Sequence, residues 1–216
     1  MTTATALARA LQLVVVTDEH ISHPRAVDDV VEAALEGGCR CIQLRAKGAS
    51  AQTLLDKARA LRTLTRLYDA LLIVNDRFDI ALAAKADGVH VGPNDVPVDV
   101  IRRCVPESFV IGASCDDVDE ARRLEAAGAD YLGCGTVYAT RTKTDAGAAI
   151  GVAKIRELVS AVSIPVVAIG GVTTGRAHEL SGTGAQGIAV VGAVMSAPDP
   201  EAATRKLLRR FEPDRS

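Results

Sequence analysis

Polar side chains recur at every second position in the run Gln43-Leu44-Arg45-Ala46-Lys47. If the run continues a strand, this spacing points Gln43, Arg45 and Lys47 to the same side of the chain. A guanidinium offers a fork of donors that suits phosphate, and an ammonium offers a mobile point charge. The run therefore predicts a site for a polar substrate that carries phosphate, and the alternative is a solvated strand end.

Two acidic residues, Asp76 and Asp95, follow separate apolar runs, and Asn75 directly precedes the first of them. Mg²⁺ takes hard oxygen ligands, keeps several waters, and is often held by one or two carboxylates together with substrate phosphate. The two acids therefore predict a magnesium site beside the cationic run. Each acid has an alternative structural role as the N-cap of the helix that follows it.

Hydroxyl and cationic side chains alternate in the run Thr140-Arg141-Thr142-Lys143. The run lies within an unusually long connection, from about residue 133 to about residue 149. Long loops in compact domains are often functional. These side chains are expected to clamp a phosphate or to close over it, and the alternative is a solvated loop.

Glycines follow the last two apolar runs, in Gly170-Gly171 and in Val190-Val191-Gly192. Where glycine leaves room, backbone N–H groups can approach an anion closely, as in the phosphate sites of α/β barrels. The two runs therefore predict a phosphate site, with Gly171 in a positive-φ conformation.

Ser114 ends another apolar run and is expected to donate a hydrogen bond to phosphate. The sequence places no histidine or lysine beside it, so we do not assign it as a nucleophile. None of the four histidines is assigned as a base. His90, near the end of its own run, is expected to pack against a neighbour or to orient one.

Apolar strand-like runs precede all of these residues, and helix-like segments separate the runs. We predict strands near residues 11, 39, 71, 88, 109, 130, 164 and 187. The predicted helices cover residues 25–36, 50–67 (with Ser50 as N-cap), 77–84, 97 onwards, 116–127, 151–161, 173–180 and 199–211. Glycine-containing turns before the strands place Asp87 and Asp130 at the opposite ends of the strands, where we expect structural roles.

This alternation predicts an α/β fold, a closed (βα)8 TIM barrel in which the carboxyl ends of all strands share one rim. We expect one domain over residues 1–216, with 1–10 as an N-terminal extension or helix and 212–216 as a tail. A doubly wound open sheet is the alternative, but no Gly-x-Gly-x-x-Gly follows an early strand. The barrel would bring residues that are scattered along the chain into one pocket.

Composition limits the partners and the compartment. The 216 residues are 48% hydrophobic with a net charge of −2, which argues against a broad nucleic-acid surface. No apolar stretch is long enough to span a bilayer, and the N-terminus does not resemble a secretory signal. Five cysteines without framework spacing fit a reducing cytosol, so we expect a cytoplasmic protein.

Taken together, these runs resemble the thiamine-phosphate synthase family (thiamin phosphate pyrophosphorylase) over about residues 11–193. Several short runs in the same order carry the resemblance: Gln43-Leu44-Arg45-Ala46-Lys47, Asn75-Asp76-Arg77, Asp87-Gly88-Val89-His90-Val91-Gly92 with Asp95, Gly112-Ala113-Ser114, Thr140-Arg141-Thr142-Lys143 and Ala168-Ile169-Gly170-Gly171-Val172. That family couples hydroxymethylpyrimidine diphosphate to a thiazole phosphate and releases diphosphate and thiamine phosphate.

The resemblance implies a role for each run. It implies Mg²⁺ on Asp76 and Asp95. It implies that the pyrimidine diphosphate is bound by Gln43, Arg45, Lys47, Asn75, Ser114 and Lys143. It implies that the thiazole phosphate is bound by Thr140, Thr142, Gly171, Val191 and Gly192. Leu44, Ala46 and Arg141 belong to the same binding runs, and the residues expected to act in catalysis are Arg45, Lys47, Ser114 and Lys143.

This chain departs from the family pattern at two positions. Ala46 replaces an acid that is often found there, and Gly192 stands where the family often has serine, so that a hydroxyl is lost while the backbone N–H remains. Two alternative functions are a thiazole tautomerase-like relative, which would need a base, and a non-catalytic phosphometabolite-binding barrel. The expected partners are small molecules, neither nucleic acid nor membrane, and a homodimer is left open.

The implied reaction needs no protein nucleophile. The aminopyrimidine delocalises positive charge at its methylene carbon, so the bond to diphosphate can break before the thiazole nitrogen attacks. Diphosphate leaves poorly unless its charge is neutralised, and this is the work expected of Mg²⁺ and of the cations Arg45, Lys47 and Lys143.

We expect Lys143→Ala to lower turnover by roughly 10²-fold, or about 2.7 kcal/mol, the scale for one preorganised charge-stabilising group. Steady-state assays of diphosphate release measure this change. Lys206→Ala, in the predicted C-terminal helix, is the control and should keep full turnover. If Lys143→Ala kept both its turnover and its affinity for the diphosphate substrate, the loop would be only a solvated connection.

Overall fold

A closed parallel barrel is the centre of the computed structural model, which describes residues 4–140 and 148–211. The strands are β1 (Leu13–Val16), β2 (Cys41–Leu44), β3 (Leu71–Asn75), β4 (Gly88–Val91), β5 (Val110–Cys115), β6 (Tyr131–Cys134), β7 (Val166–Ile169) and β8 (Gly187–Val190). Each strand pairs in parallel with the next in chain order, and β1 pairs with β8 to close the barrel. The predicted TIM barrel is therefore confirmed, and the open sheet is wrong.

Helices separate the strands along the chain. They are α1 (Ala4–Ala10), α2 (Glu19–Ser22), α3 (Val27–Glu36), α4 (Ala51–Leu67), α5 (Phe78–Ala83), α6 (Val98–Cys104), α7 (Val118–Ala126), α8 (Gly151–Ala161), α9 (Ala177–Leu180), α10 (Gly192–Met195) and α11 (Pro200–Arg210). None of the helices in residues 4–140 and 148–211 is long and apolar enough to cross a membrane.

Most helix boundaries follow the sequence signals. Ser50 caps α4, as predicted, by accepting a hydrogen bond from the Thr53 N–H at 3.1 Å. The helix predicted over residues 173–180 is shorter in the structure, where α9 begins at Ala177. Helices α2 and α10 were not predicted, since four residues are too few to show a helical period.

The strands separate two apolar layers because successive side chains point to opposite faces. The outward side chains, such as Val15 and Ile42, pack in the large cluster that includes the helices. The inward side chains fill the barrel, together with Ala10 at the end of α1 and the following Leu11. Their shared layer consists of Val14, Val16, Cys41, Ile73, Val110, Tyr131, Val167 and Ala189.

Two aspartates at the amino ends of strands have structural contacts, as expected. The Asp87 carboxylate accepts hydrogen bonds from both terminal nitrogens of Arg62, at 2.7 and 2.9 Å, and from the Leu72 N–H at 2.8 Å. Asp130 makes a similar contact, accepting from one nitrogen of Arg102 and from the N–H of Ile111. Each acid thereby ties a helix to the start of a strand, on the side of the barrel away from the predicted site.

We expect Asp87→Ala to lower the free energy of unfolding by about 2–3 kcal/mol, because it removes the carboxylate from a mostly buried guanidinium and from a backbone N–H. Turnover should stay unchanged in the folded fraction. Urea unfolding of this variant measures the loss, with Asp56→Ala, whose exposed carboxylate accepts a bond from Gln52, as the control. A fall in turnover without a fall in stability would contradict the structural role.

Candidate active site

The predicted site residues that the structure describes lie at the carboxyl ends of the strands, on one rim of the barrel. Gln43, Leu44, Asn75 and Ser114 belong to the ends of β2, β3 and β5. The remaining residues follow strand ends in the loops: Arg45, Ala46 and Lys47 after β2, Asp76 after β3, Asp95 after β4, Thr140 after β6, Gly171 after β7, and Val191 and Gly192 after β8. Arg141, Thr142 and Lys143 lie outside the described residues.

Two amide side chains meet where β2 and β3 end. The Gln43 Nε2 donates to the Asn75 Oδ1 at 2.8 Å, although the two residues are 32 positions apart in the chain. Gln43 is buried, so this bond orients both amides at the floor of the rim. In this bond the oxygen of Asn75 is the acceptor, so its NH₂ group keeps its capacity as a donor.

A carboxylate in the neighbouring loop braces Arg45. Asp18 Oδ2 lies 3.6 Å from the Arg45 guanidinium, and Asp18 also caps α2 through the N–H groups of His20 and Ile21. The Thr17 hydroxyl accepts from the Arg45 N–H at 2.9 Å and so joins the two loops. Asp18 was not predicted from the sequence. Its position directly after the first apolar run was the available signal, since Asp76 follows the third run in the same way.

The two predicted metal ligands, Asp76 and Asp95, lie close enough to interact. Burial and the negative charge of Asp95 raise the pKa of Asp76 to about 6, and the nearby charges of Arg45 and Lys47 oppose this shift. Asp95 is oriented by the Gly92 N–H, which donates to its Oδ2 at 2.7 Å. A pair of like charges held together in this way favours a bound cation.

The alternative roles of these acids as helix caps are wrong. The N-cap of α5 is Arg77 and that of α6 is Pro97, and neither cap makes a side-chain hydrogen bond. Asp76 instead adopts a left-handed backbone conformation, with φ of 66°. Such strain in a residue other than glycine is concentrated at functional sites.

The chemistry of the acid pair fits Mg²⁺. In residues 4–140 and 148–211, no group of three or more histidine, cysteine, aspartate or glutamate side chains could enclose a metal ion. Mg²⁺ does not require such a cage, since it is commonly held by one or two carboxylates and completed by water and substrate phosphate. The cations Arg45 and Lys47 near the same carboxylates suit a phosphate that would share the metal.

The turn after β7 contains two left-handed glycines, as predicted for Gly171, with φ of 100° at Gly170 and 65° at Gly171. A Cβ atom at Gly171 would lie 2.8 Å from both the Cβ and the carbonyl oxygen of Tyr138. This turn therefore packs directly on the loop after β6. Arg176 strengthens the contact, because its guanidinium lies 4.7 Å from the centre of the Tyr138 ring and donates to the Gly171 carbonyl at 3.0 Å.

A short helix, α10, follows β8 directly at the rim, and Val191 is its N-cap. The first N–H groups of any helix have no acceptor within the helix, so those of Gly192 and Ala193 are suited to an anion. At the other end of α10, Arg25 donates to the carbonyls of Met195 and Ala197 at 3.0 and 2.7 Å. This contact, which fixes the orientation of α10, was not predicted from the sequence.

Ser114 has a histidine beside it that was not predicted from the sequence. The His90 Nε2 lies 2.8 Å from the Ser114 Oγ, and the His90 Nδ1 lies 3.0 Å from the Tyr131 hydroxyl. His90 was expected to pack against a neighbour or to orient one, and it contacts both Tyr131 and Ser114. The contact joins residues 24 positions apart on adjacent strands, and it depends on a register that local sequence does not reveal.

Comparison with known proteins gives the family. The family model of thiamine monophosphate synthase matches residues 13–194. The chain belongs to this family. A thiamine-phosphate synthase of Roseiflexus castenholzii is 45% identical over 193 residues, covering 89% of this chain and 85% of that protein.

Two further matches come from Pyrococcus furiosus. Its thiamine-phosphate synthase is 46% identical over 206 residues, covering 95% of this chain and 97% of that protein. The solved structure of thiamine phosphate pyrophosphorylase from the same organism aligns with a TM-score of 0.86 at 44% identity, covering 94% of this chain and 96% of that one. The likeness therefore extends over nearly the whole chain.

The Asp76 pKa leads to a prediction for the metal-free protein. The pKa of Asp76 rises from its ordinary value of 3.8 to about 6 in the folded state. Ionisation of this carboxyl is therefore harder in the folded than in the unfolded protein, so it lowers the free energy of unfolding as the pH rises through this window. We expect Asp76→Asn, which tolerates the left-handed backbone, to be more stable than the parent at about pH 7.5 and nearly equal to it at about pH 4.

Urea unfolding in a chelator at both pH values measures this difference. Asp79→Asn is the control, since the Arg77 guanidinium lowers the pKa of Asp79 and its loss should not stabilise the protein at high pH. A stability difference between Asp76→Asn and the parent that stays constant with pH would contradict the close acid pair.

Proposed function

We propose that this protein is a thiamine-phosphate synthase, which couples hydroxymethylpyrimidine diphosphate to thiazole phosphate, or to its carboxylate, and releases diphosphate and thiamine phosphate. The observation that carries the proposal is the convergence of Arg45, Asp76 and Asp95 on one rim of a thiamine monophosphate synthase barrel. This combination suits a reaction in which a diphosphate must leave with its charge neutralised.

We assign the pyrimidine diphosphate to the rim of β2, β3 and β5. Gln43 and Asn75 form the floor of this part of the site, and the NH₂ group of Asn75 is a donor for the ligand. Arg45 is held in place by Asp18 before the substrate arrives, so little reorganisation is needed when charge develops on the leaving group. Lys47, Ser114 and Lys143 complete the proposed donor set, and Leu44 and Ala46 belong to the same strand end.

We assign the metal to Asp76 and Asp95. When bound there, Mg²⁺ would neutralise charge on the diphosphate oxygens and so make diphosphate a better leaving group. The two carboxylates contribute by offering hard oxygen ligands next to Arg45 and Lys47. The Gly92 N–H keeps one oxygen of Asp95 in place.

We assign the thiazole phosphate to the rim of β6, β7 and β8. Gly171 and the start of α10 at Val191 and Gly192 offer backbone N–H groups, and Thr140 lies in the loop after β6. Arg141 and Thr142, the next residues in the sequence, complete this proposed set. Holding this second substrate across the barrel from the diphosphate would direct its ring nitrogen at the methylene carbon of the pyrimidine. Positioning of this kind supplies much of the rate of a two-substrate reaction.

The two alternative functions are less favoured. The similar proteins from Roseiflexus castenholzii and Pyrococcus furiosus are named as synthases, and a non-catalytic barrel would have no use for paired carboxylates beside a phosphate site. A tautomerase-like relative would need a free base, whereas both ring nitrogens of His90 are engaged in hydrogen bonds. We place the reaction in the cytoplasm, since all five cysteines are free thiols.

The proposed function is tested by an assay of diphosphate release with both substrates and Mg²⁺, in which each component is omitted in turn. Release should require all three components, and thiamine phosphate should appear in equal amount. Release without the thiazole phosphate would indicate a hydrolase. Binding of both substrates without release would support a non-catalytic barrel.

We expect Asp95→Asn to lower turnover by about 10²-fold, the scale for loss of a charge-stabilising group. The amide retains an oxygen for the Gly92 N–H, so the loop should keep its shape while the metal loses a negative ligand. A titration of turnover against Mg²⁺ measures the change and should show a higher half-saturating concentration. Asp99→Asn, which loses only an exposed pair with Arg103, is the control, and an unaltered Mg²⁺ requirement in Asp95→Asn would contradict the metal assignment.

A further inference from the structure

A chain of hydrogen bonds runs through the interior of the barrel to its rim. It begins at the Tyr131 hydroxyl, 3.0 Å from the His90 Nδ1, and continues from the His90 Nε2 to the Ser114 Oγ at 2.8 Å. Tyr131 is 2% exposed and His90 is 9% exposed, whereas Ser114 is only partly buried. The chain thus connects the buried core with the side chain that is proposed to meet the diphosphate.

Two inward-facing glycines leave the space that the Tyr131 and His90 rings occupy. A Cβ atom at Gly112 would collide with the Tyr131 ring, and one at Gly133 would lie 2.8 Å from the His90 Cε1. Gly112 is the register partner of both His90 and Tyr131, and Gly133 is the partner of Ser114. The absence of a side chain at these two positions therefore makes room for the two rings, and the adjacent backbone restricts where they can lie.

The polarity of the chain follows from the phenol. Tyr131 lies in the inner apolar layer, and within the described residues its hydroxyl bonds to the His90 Nδ1. A buried donor without an acceptor is costly, so the single hydroxyl hydrogen is donated to Nδ1. A neutral imidazole that accepts at Nδ1 carries its hydrogen on Nε2, and that hydrogen is donated to the Ser114 Oγ.

This polarity is the reverse of that in a serine hydrolase. In a Ser-His-Asp triad, the carboxylate accepts the Nδ1 hydrogen and leaves Nε2 free to take the proton of the serine. Here a phenol replaces the carboxylate, so the His90 Nε2 is already protonated and cannot accept from Ser114. The Ser114 hydrogen is then directed away from His90, toward the rim.

We propose that His90 and Tyr131 are positioning residues, which hold the Ser114 hydroxyl as a directed donor to the diphosphate leaving group. The proposal rests on the proposed function, because it takes the diphosphate to be the ligand of Ser114. A donor that is oriented before the reaction stabilises developing charge more than one that must turn toward it. Loss of the orientation should therefore lower kcat more than it raises KM.

Tyr131→Phe in two backgrounds tests the proposal, since phenylalanine fits the space beside Gly112 and lacks only the hydroxyl. In the parent, we expect kcat for diphosphate release to fall about tenfold, with KM for thiazole phosphate unchanged. In the Ser114→Ala background, Tyr131→Phe should lower kcat by less than about twofold, because the hydroxyl through which Tyr131 is proposed to act is already absent. Ile73→Val, in the same inner layer, is the control and should lower thermal stability without lowering kcat.

Equal losses in the two backgrounds, or no loss in the parent, would overturn the proposal while leaving the proposed function intact. Unchanged turnover in Ser114→Ala would overturn the assignment of Ser114 in the proposed function as well. Nitrogen NMR of the imidazoles gives an independent result, with the His90 signals identified by their absence in His90→Gln. We expect the hydrogen on Nε2, and a hydrogen on Nδ1 would overturn the proposal whatever the kinetics show.

Discussion

Closure of the parallel sheet between β1 and β8 is the constraint on which the site depends. In an open sheet, the strand that leads to Arg45 and the strand that leads to Gly192 would lie near opposite edges. Pairing of Val15 with Val190 brings the ends of β2 and β8 around one opening, so two phosphate-bearing substrates can be held on facing sides of the same pocket. The amino ends of the strands are then left to structural contacts, such as those of Asp87 and Asp130.

Charge at the rim is arranged for function at a cost in stability. Asp76 and Asp95 repel each other, and Asp76 also has a left-handed backbone that favours glycine. Arg45 and Lys47 offset part of this repulsion, and Asp18 holds Arg45 near the pair. Such a site is suited to binding a cation and an anionic leaving group together. The cation would relieve the repulsion between the two carboxylates, and the anion would pair with Arg45 and Lys47.

Two polar features interrupt the apolar interior of the described barrel: the Gln43–Asn75 pair and the hydrogen bonds from Tyr131 through His90 to Ser114. Small and large residues alternate across the interior, so Gly112 and Gly133 make space for Tyr131 and His90. This packing gives the buried histidine a defined partner at each nitrogen. Core packing and the orientation of a hydroxyl at the rim are therefore one structural feature.

The sequence by itself determined the alternation of strands and helices, caps such as Ser50, and the residue types at each strand end, because all of these depend on neighbours within a few positions. Only the tertiary structure decided which side chains meet. The contacts of Gln43 with Asn75, Asp18 with Arg45 and His90 with Ser114 require the register between parallel strands, which side-chain packing sets and no local pattern encodes. The short helices α2 and α10 belong to the same class, since four residues show no period and their place is given by contacts from elsewhere in the chain.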